Sequence, residues 1–168
     1  DLAGRPAGDL DLWIPEDRVA DAHRLLIESE HEGKTGYERL SSFDQRRYRK
    51  HRFHIGYTHQ PTLISVEIHW RLMSTPALWS LNFESAFARS EALKFGTQEV
   101  RFPGPEDEIL FLHLHAAKHL WERAFWLWDL KTWHEQAGPE SIAAPLERAR
   151  RLGLEPAVEA GFQLMEEF

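Results

Sequence analysis

Gly8-Asp9-Leu10-Asp11-Leu12-Trp13-Ile14-Pro15 is the stretch on which the reading of this chain turns. Leu10, Leu12 and Ile14 alternate with Asp9, Asp11 and Trp13, the period of a β-strand. The breakers Gly4, Pro6 and Gly8 lead into it and Pro15 ends it. Alternation places both carboxylates on one face and turns Leu10 and Leu12 toward a core. Two carboxylates sharing a face raise each other's proton affinity unless a cation sits between them. A hard divalent ion such as Mg²⁺ is the usual partner of such a pair. An Asp-x-Asp beside a turn also arises by chance. Here the context favours a site, because a Gly-rich turn enters the strand and an amphipathic helix leaves it.

That helix is predicted to begin at Glu16 and Asp17, acids suited to a first turn, and to run through Val19, Ala22, Leu25 and Leu26. Gly33 and Gly36 are expected to close it. A second strand is predicted where Phe53, Ile55 and Tyr57 alternate with His54, Gly56 and Thr58. A third is predicted over Leu63–Leu72, with Ile64, Val66, Ile68 and Trp70 on one face and Ser65, Glu67, His69 and Arg71 on the other. If this strand neighbours the first, Glu67 supplies a third oxygen ligand beside Asp9 and Asp11. A Glu on a half-exposed strand is ordinarily just solvated, so this reading depends on the pairing. The three carboxylates would suit two-metal chemistry on a nucleotide, with Glu67 or Asp11 as the base.

Beyond the third strand, a short helix is expected around Glu84–Leu93 and an extended piece near Gln98–Phe102. Pro103-Gly104-Pro105 is a break, and the pattern from Glu106 to about Gln136 is helical, in one or two helices. Further helices are predicted near 140–152 and 155–168. The fold class is therefore α+β: a small mixed or antiparallel sheet with helices over 1–102, then a helical bundle over 103–168. The chain opens on Asp1 and closes within an apparent helix at Glu166-Glu167-Phe168, so both ends read as cut and a fragment is expected.

The chain has 168 residues, room for one ordinary domain with a sizeable core. It contains no cysteine, which excludes disulfides and thiolate metal sites. The formal charge of −7 argues against general nucleic-acid binding and fits a carboxylate site for divalent cations. No segment approaches the about 18 consecutive apolar residues of a membrane span, and no signal pattern opens the chain, so a cytoplasmic location is expected. Most of the seven tryptophans are expected in the core. The basic run Arg46, Arg47, Arg49, Lys50 and Arg52 reads first as a solvated face, or as a loop able to neutralise phosphates.

At about 100° per residue, His115, Lys118, His119, Glu122, Trp126, Asp129 and Trp133 share one face of a continuous helix. His115 and His119 have a spacing able to chelate a metal, but Ala116 stands where a zinc protease needs Glu. The plain reading is a solvated stripe. The sharper one has Lys118 meeting phosphate oxygens and a Trp stacking on a base, across a cleft from the Asp pair. His113 points away and is expected to be structural.

Three stretches carry a resemblance. Gly4-Arg5-Pro6-Ala7-Gly8-Asp9-Leu10-Asp11-Leu12-Trp13-Ile14 resembles the Arg-x-x-Gly-Asp-hydrophobic-Asp-Leu segment of the uncharacterised bacterial nucleotidyltransferase family, a branch of the DNA polymerase β-like superfamily. Val66-Glu67-Ile68-His69-Trp70 is similar to that family's Val-Glu-hydrophobic-His-Trp strand. His115-Ala116-Ala117-Lys118-His119, followed by Trp126-Leu127-Trp128-Asp129-Leu130, is similar to its helical signature. The motifs fall in the same order over about two thirds of the chain. The resemblance implies Asp9 and Asp11 as metal ligands and Glu67 as the third carboxylate. The family's strand and Gly-containing turn that cradle the triphosphate are expected ahead of the Asp pair, before residue 1.

The expected activity is Mg²⁺- or Mn²⁺-dependent transfer of a nucleoside monophosphate from a nucleoside triphosphate such as ATP to a hydroxyl acceptor. Asp9, Asp11 and Glu67 hold the metal in this reading. Arg5 and Gly8 support the entering loop or contact phosphate, and His115, Lys118 and His119 are candidate nucleotide contacts. Two other readings compete. One is a fold of the same kind that binds a nucleotide or a partner without turnover. The other is a zinc hydrolase built on His115 and His119.

Overall fold

The computed structural model describes residues 8–73, 83–138 and 142–167. Contacts group the chain into two compact units, Asp1–Ala77 and Leu78–Phe168. In the first, β1 (Leu10–Trp13), α1 (Val19–Glu28), β2 (His31–Gly33), α2 (Ser42–His51), β3 (His54–His59) and β4 (Ser65–His69) follow one another. The strands form a four-stranded sheet in the order β1-β4-β3-β2. β1 runs parallel to β4, whereas β4 with β3 and β3 with β2 are antiparallel.

Alternation decides which face of this sheet is buried. Ile55, Tyr57 and Ile68 turn to one side and pack with Val19 of α1, with Tyr37 and with Trp70, all buried. Ile14, Ala22, Leu26, Leu40 and Tyr48 close over that cluster. Each large side chain removed from water contributes roughly 1.5–3 kcal/mol, so this layer fixes the register of β3 and β4. Their opposite faces are left to polar residues.

Several local expectations are corrected. The first helix ends at Glu28, not at Gly33, because Glu30 takes a left-handed φ of 61° and reverses the chain into β2. Gly33 is therefore a strand residue paired with Tyr57. Arg46, Arg47, Arg49 and Lys50 of the basic run lie on α2 and not on a loop, with Arg52 at its C-cap. Ser41 starts that helix: its hydroxyl accepts from the Asp44 backbone N–H at 3.2 Å and donates to the Asp44 carboxylate at 2.6 Å. Arg49, Lys50 and His51 then fall in the last turn, where the helix dipole favours cations. Arg71, just past β4, donates to the carbonyls of Arg49, Lys50 and Arg52, tying the end of the sheet to the end of α2. The third strand is shorter than the expected span, running only from Ser65 to His69.

The second unit holds α3 (Phe83–Ala88), the hairpin β5 (Glu91–Phe95) and β6 (Gln98–Phe102), and four helices: α4 (Pro105–Lys118), α5 (Ala124–Ala137), α6 (Ala143–Leu152) and α7 (Glu155–Glu167). The last three residues of the span expected as helix over Glu84–Leu93 are strand, because Gly96, at φ 63°, makes the tight turn that pairs β5 with β6. The break expected at Pro103-Gly104-Pro105 leads into α4, with Pro105 at the first helical position. Ile109, Leu110 and Leu114 of α4 are buried, as are Leu130 of α5, Ala149 of α6 and Val158 of α7. The helices near 140–152 and 155–168 stand close to their expected limits.

The helical span expected from Glu106 to about Gln136, in one or two helices, is two, so the single face shared by His115 through Trp133 on a continuous helix is not formed. Leu120 and Trp121 both take left-handed backbone, at φ 52° and 55°. Such residues cost roughly 1–2 kcal/mol each. Packing of Trp121 offsets part of this, its indole standing edge-on to the buried His113 ring at 6.4 Å, whereas Leu120 is 86% exposed. Among the described residues no helix is long and apolar enough to cross a membrane.

Candidate metal centre on the sheet

The polar face of the four-stranded sheet brings together residues that are far apart in sequence. Parallel pairing of β1 with β4 sets Asp11 beside Glu67, and Trp13 beside His69. Antiparallel pairing of β4 with β3 sets Glu67 beside Gly56, and His69 beside His54. Pro15 ends β1 only after the Ile14 N–H has bonded the His69 carbonyl at 2.9 Å, so the register is held to the end of the strand.

Between the two carboxylates stands the imidazole of His69. Its Nε2 lies 2.9 Å from Asp11 Oδ1 and 3.3 Å from Glu67 Oε2. His54 reaches the same Glu67 oxygen at 3.6 Å, and its ring stacks on that of His69 with centroids 5.0 Å apart and planes 17° from parallel. Ligand atoms from Asp11, Glu67 and His69 all lie within 4.8 Å of one another. The Asp11 side chain is 41% exposed, Glu67 23% and His69 12%, so the cluster opens from a buried floor toward solvent.

Gly56 makes room for a cation at the rim. A Cβ there would stand 3.2 Å from the Lys34 stem and 3.5 Å from Glu67 Oε1. With no side chain in the way, Lys34 crosses the strand and donates to Ser65 Oγ at 3.0 Å.

The electrostatics follow from this geometry. Partial burial raises the Asp9 pKa, and the charges of Asp11 and Glu67 raise it further against Lys34 and His69. Glu67 is held below its ordinary range, chiefly by the hydrogen bond from His69, with His54 adding to the effect against burial. Burial opposes charge on His69, yet its hydrogen bonds to Asp11 and Glu67 outweigh that and raise its pKa. Asp9, Asp11 and Glu67 are thus coupled in a negative field that the nearby cations only partly cancel at Asp9.

The sequence-predicted residues divide as follows. Asp11 and Glu67 meet, as the strand pairing required. Asp9 lies just ahead of β1, exposed, and is coupled to both through its charge. Gly8 precedes it, also exposed, and Arg5 lies outside the described residues. His69, His54, Lys34 and Ser65 were not expected in the site. The alternation that put Glu67 on the polar face of β4 puts Ser65 and His69 there too, which is the signal that finds them.

His115, Lys118 and His119 belong to the other unit, at the end of α4 and its cap. The break after α4 removes the seven-residue stripe, but a smaller cluster survives. The rings of His115 and His119 are 4.9 Å apart, and each lies 5.3 Å from that of Trp126. The zinc reading gains no support, since the metal-ligand grouping found among the described residues is Asp11, Glu67 and His69. His113, expected to be structural, is buried, its Nδ1 2.8 Å from the Ile109 carbonyl, and burial lowers its pKa to about 4. Trp70 and Trp126 are buried, whereas Trp128 is 63% exposed.

A protein-family model described as uncharacterised nucleotidyltransferase matches residues 1–168. No curated protein and no solved structure gives a significant match.

Proposed function

We infer that this chain, which belongs to the uncharacterised nucleotidyltransferase family, moves a nucleoside monophosphate from a nucleoside triphosphate to a hydroxyl group of an acceptor. The observation that carries this reading is the convergence of Asp11 and Glu67 on one sheet face, with Asp9 coupled to both. The residues fit a hard divalent ion. The Asp11 and Glu67 oxygens are close enough to share one, and the raised pKa of Asp9 marks a negative field that such an ion relieves.

Asp9, Asp11 and Glu67 hold Mg²⁺ or Mn²⁺ in this proposal. When bound, such an ion neutralises triphosphate charge and acidifies the attacking hydroxyl. In the transfer, the acceptor oxygen bonds to the α-phosphorus, the bond from that phosphorus to the α,β-bridging oxygen breaks, and pyrophosphate leaves. The hydroxyl proton passes to a carboxylate or to water. Glu67 or Asp11 is proposed to accept it, with Glu67 held below its ordinary range chiefly by its hydrogen bond from His69. Lys34 supplies positive charge at the rim for phosphate oxygens. Arg5 and Gly8, ahead of Asp9, are proposed to steady the triphosphate.

The test follows label from each α-³²P nucleoside triphosphate, with release of pyrophosphate, in the presence of Mg²⁺ or Mn²⁺. The proposal expects metal-dependent turnover that Asp9→Ala and Asp11→Ala each reduce by about a hundredfold or more. Turnover retained in either variant contradicts the mechanism. Nucleotide bound without turnover, in wild type and variants alike, assigns the chain to the binding-module reading.

A further inference from the structure

The carboxylates do not stand alone: a nitrogen is aimed between them. We propose that His69 Nε2 is itself a ligand of the divalent ion, together with Asp11 and Glu67, making a mixed oxygen–nitrogen centre that prefers Mn²⁺ or Co²⁺ to Mg²⁺. This rests on the metal-site part of the function proposed above.

Distance is the first argument. Ligand atoms on neighbouring corners of an octahedron with bonds of about 2.1 Å lie about 3.0 Å apart. His69 Nε2 is 2.9 Å from Asp11 Oδ1 and 3.3 Å from Glu67 Oε2, a spacing that brings all three donors to one centre with little movement.

Preorganisation is the second. The His69 ring stacks on His54 at 5.0 Å, and its neighbour Phe53 stands 6.0 Å away. With 12% of the side chain exposed, the ring has little freedom to turn Nε2 away from the carboxylates. A ring held in this way loses little entropy when it ligates an ion.

Metal choice follows from the donor set. Two carboxylates alone suit Mg²⁺, Ca²⁺ and Mn²⁺ about equally in kind, whereas an imidazole nitrogen favours ions softer than Mg²⁺. Mg²⁺ also parts with its waters reluctantly.

The experiment is pulsed electron paramagnetic resonance on the full chain loaded with Mn²⁺ alone, paired with Mn²⁺ and Mg²⁺ titrations. The proposal expects modulation from a directly bound ¹⁴N, replaced by a ¹⁵N signature when the histidines are ¹⁵N-labelled, which needs no variant to fold. His69→Asn removes the modulation and His54→Asn keeps it. Wild type binds Mn²⁺ at least about tenfold tighter than Mg²⁺, and His69→Asn narrows that ratio. Mn²⁺ bound without nitrogen modulation overturns the proposal and leaves the carboxylate metal site standing, with His69 a hydrogen-bonding neighbour of Asp11. Modulation that His54→Asn abolishes and His69→Asn keeps overturns it in favour of the stacked partner. Failure of wild type to bind Mn²⁺ overturns both this proposal and the metal site beneath it.

Discussion

Asp11 and Glu67 are direct neighbours in the parallel ladder of β1 with β4, and the ring nitrogen of His69 stands between their carboxylates. A parallel pair needs a long crossover, which here contains α1, β2, α2 and β3. The site is thus assembled by the whole first unit and not by any local motif.

The first prediction concerns Glu67. Glu67→Gln keeps the shape but removes the charge that pairs with His69 and His54. Nucleotide turnover is expected to fall about a hundredfold or more, with the fold intact by circular dichroism. Unchanged turnover excludes Glu67 from the site.

The second concerns pH and the helical unit. Burial lowers the His113 pKa to about 4, from an ordinary value of 6.5, and its Nε2 is buried with no hydrogen-bond partner among the described residues. Above 6.5 neither the folded nor the unfolded chain protonates this ring, so its contribution is constant. As pH falls from 6.5 toward 4, only the unfolded chain takes the proton, and stability drops by up to roughly 3 kcal/mol. Denaturant melts between pH 8 and 4.5 are expected to show this slope, and His113→Gln is expected to flatten it. An equal slope in the variant assigns the loss to other groups.

The third concerns Asp107. Its carboxylate is 3% exposed, accepts from Arg89 Nε at 2.9 Å and pairs with Arg148 Nη2 at 2.8 Å. It also sits in the first turn of α4, where the helix dipole favours an acid. Asp107→Ala removes the buried partner of Arg89 and leaves Arg148 with Glu106 at 3.5 Å, and is expected to cost about 3 kcal/mol in a urea melt. A loss below about 1 kcal/mol would show that water reaches the arginines freely.

The fourth concerns Gly161 of α7. A Cβ there would stand 2.5 Å from His113 Cδ2 and 2.7 Å from the far edge of the Trp121 indole. Both are ring atoms that cannot bend aside. Gly161→Ala is therefore expected to destabilise the chain by about 1–3 kcal/mol, against the usual gain from Ala in a helix. A stabilised variant would mean that α7 slides easily on α4.

How far the sequence carries this account depends on whether a signal is local. Alternation in Leu10–Ile14, Phe53–Thr58 and Ile64–Trp70 is local, so the strands and the polar side of Glu67 were legible, but Leu10 and Leu12, expected to face a core, are exposed. So was the α+β class. The pairing of β1 with β4 is not local, and the meeting of Asp11 with Glu67 became certain only from the ladder. The Ser41–Asp44 cap was present in the sequence but went unread beside the run of arginines, so α2 was expected as loop. The break at Leu120 and Trp121 carries no glycine or proline; it is imposed by packing of Trp121 on His113. For the same reason His69 stayed in the background: its chemistry appears only when two strands bring carboxylates to either side of it.

The most direct measurement is a calorimetric titration of Mg²⁺ and Mn²⁺ into the full chain, alongside Asp11→Asn and Glu67→Gln. The account predicts binding in wild type and a loss of at least about tenfold in each variant, since each removes a charged oxygen ligand. Equal binding by wild type and both variants would contradict a metal centre on this sheet.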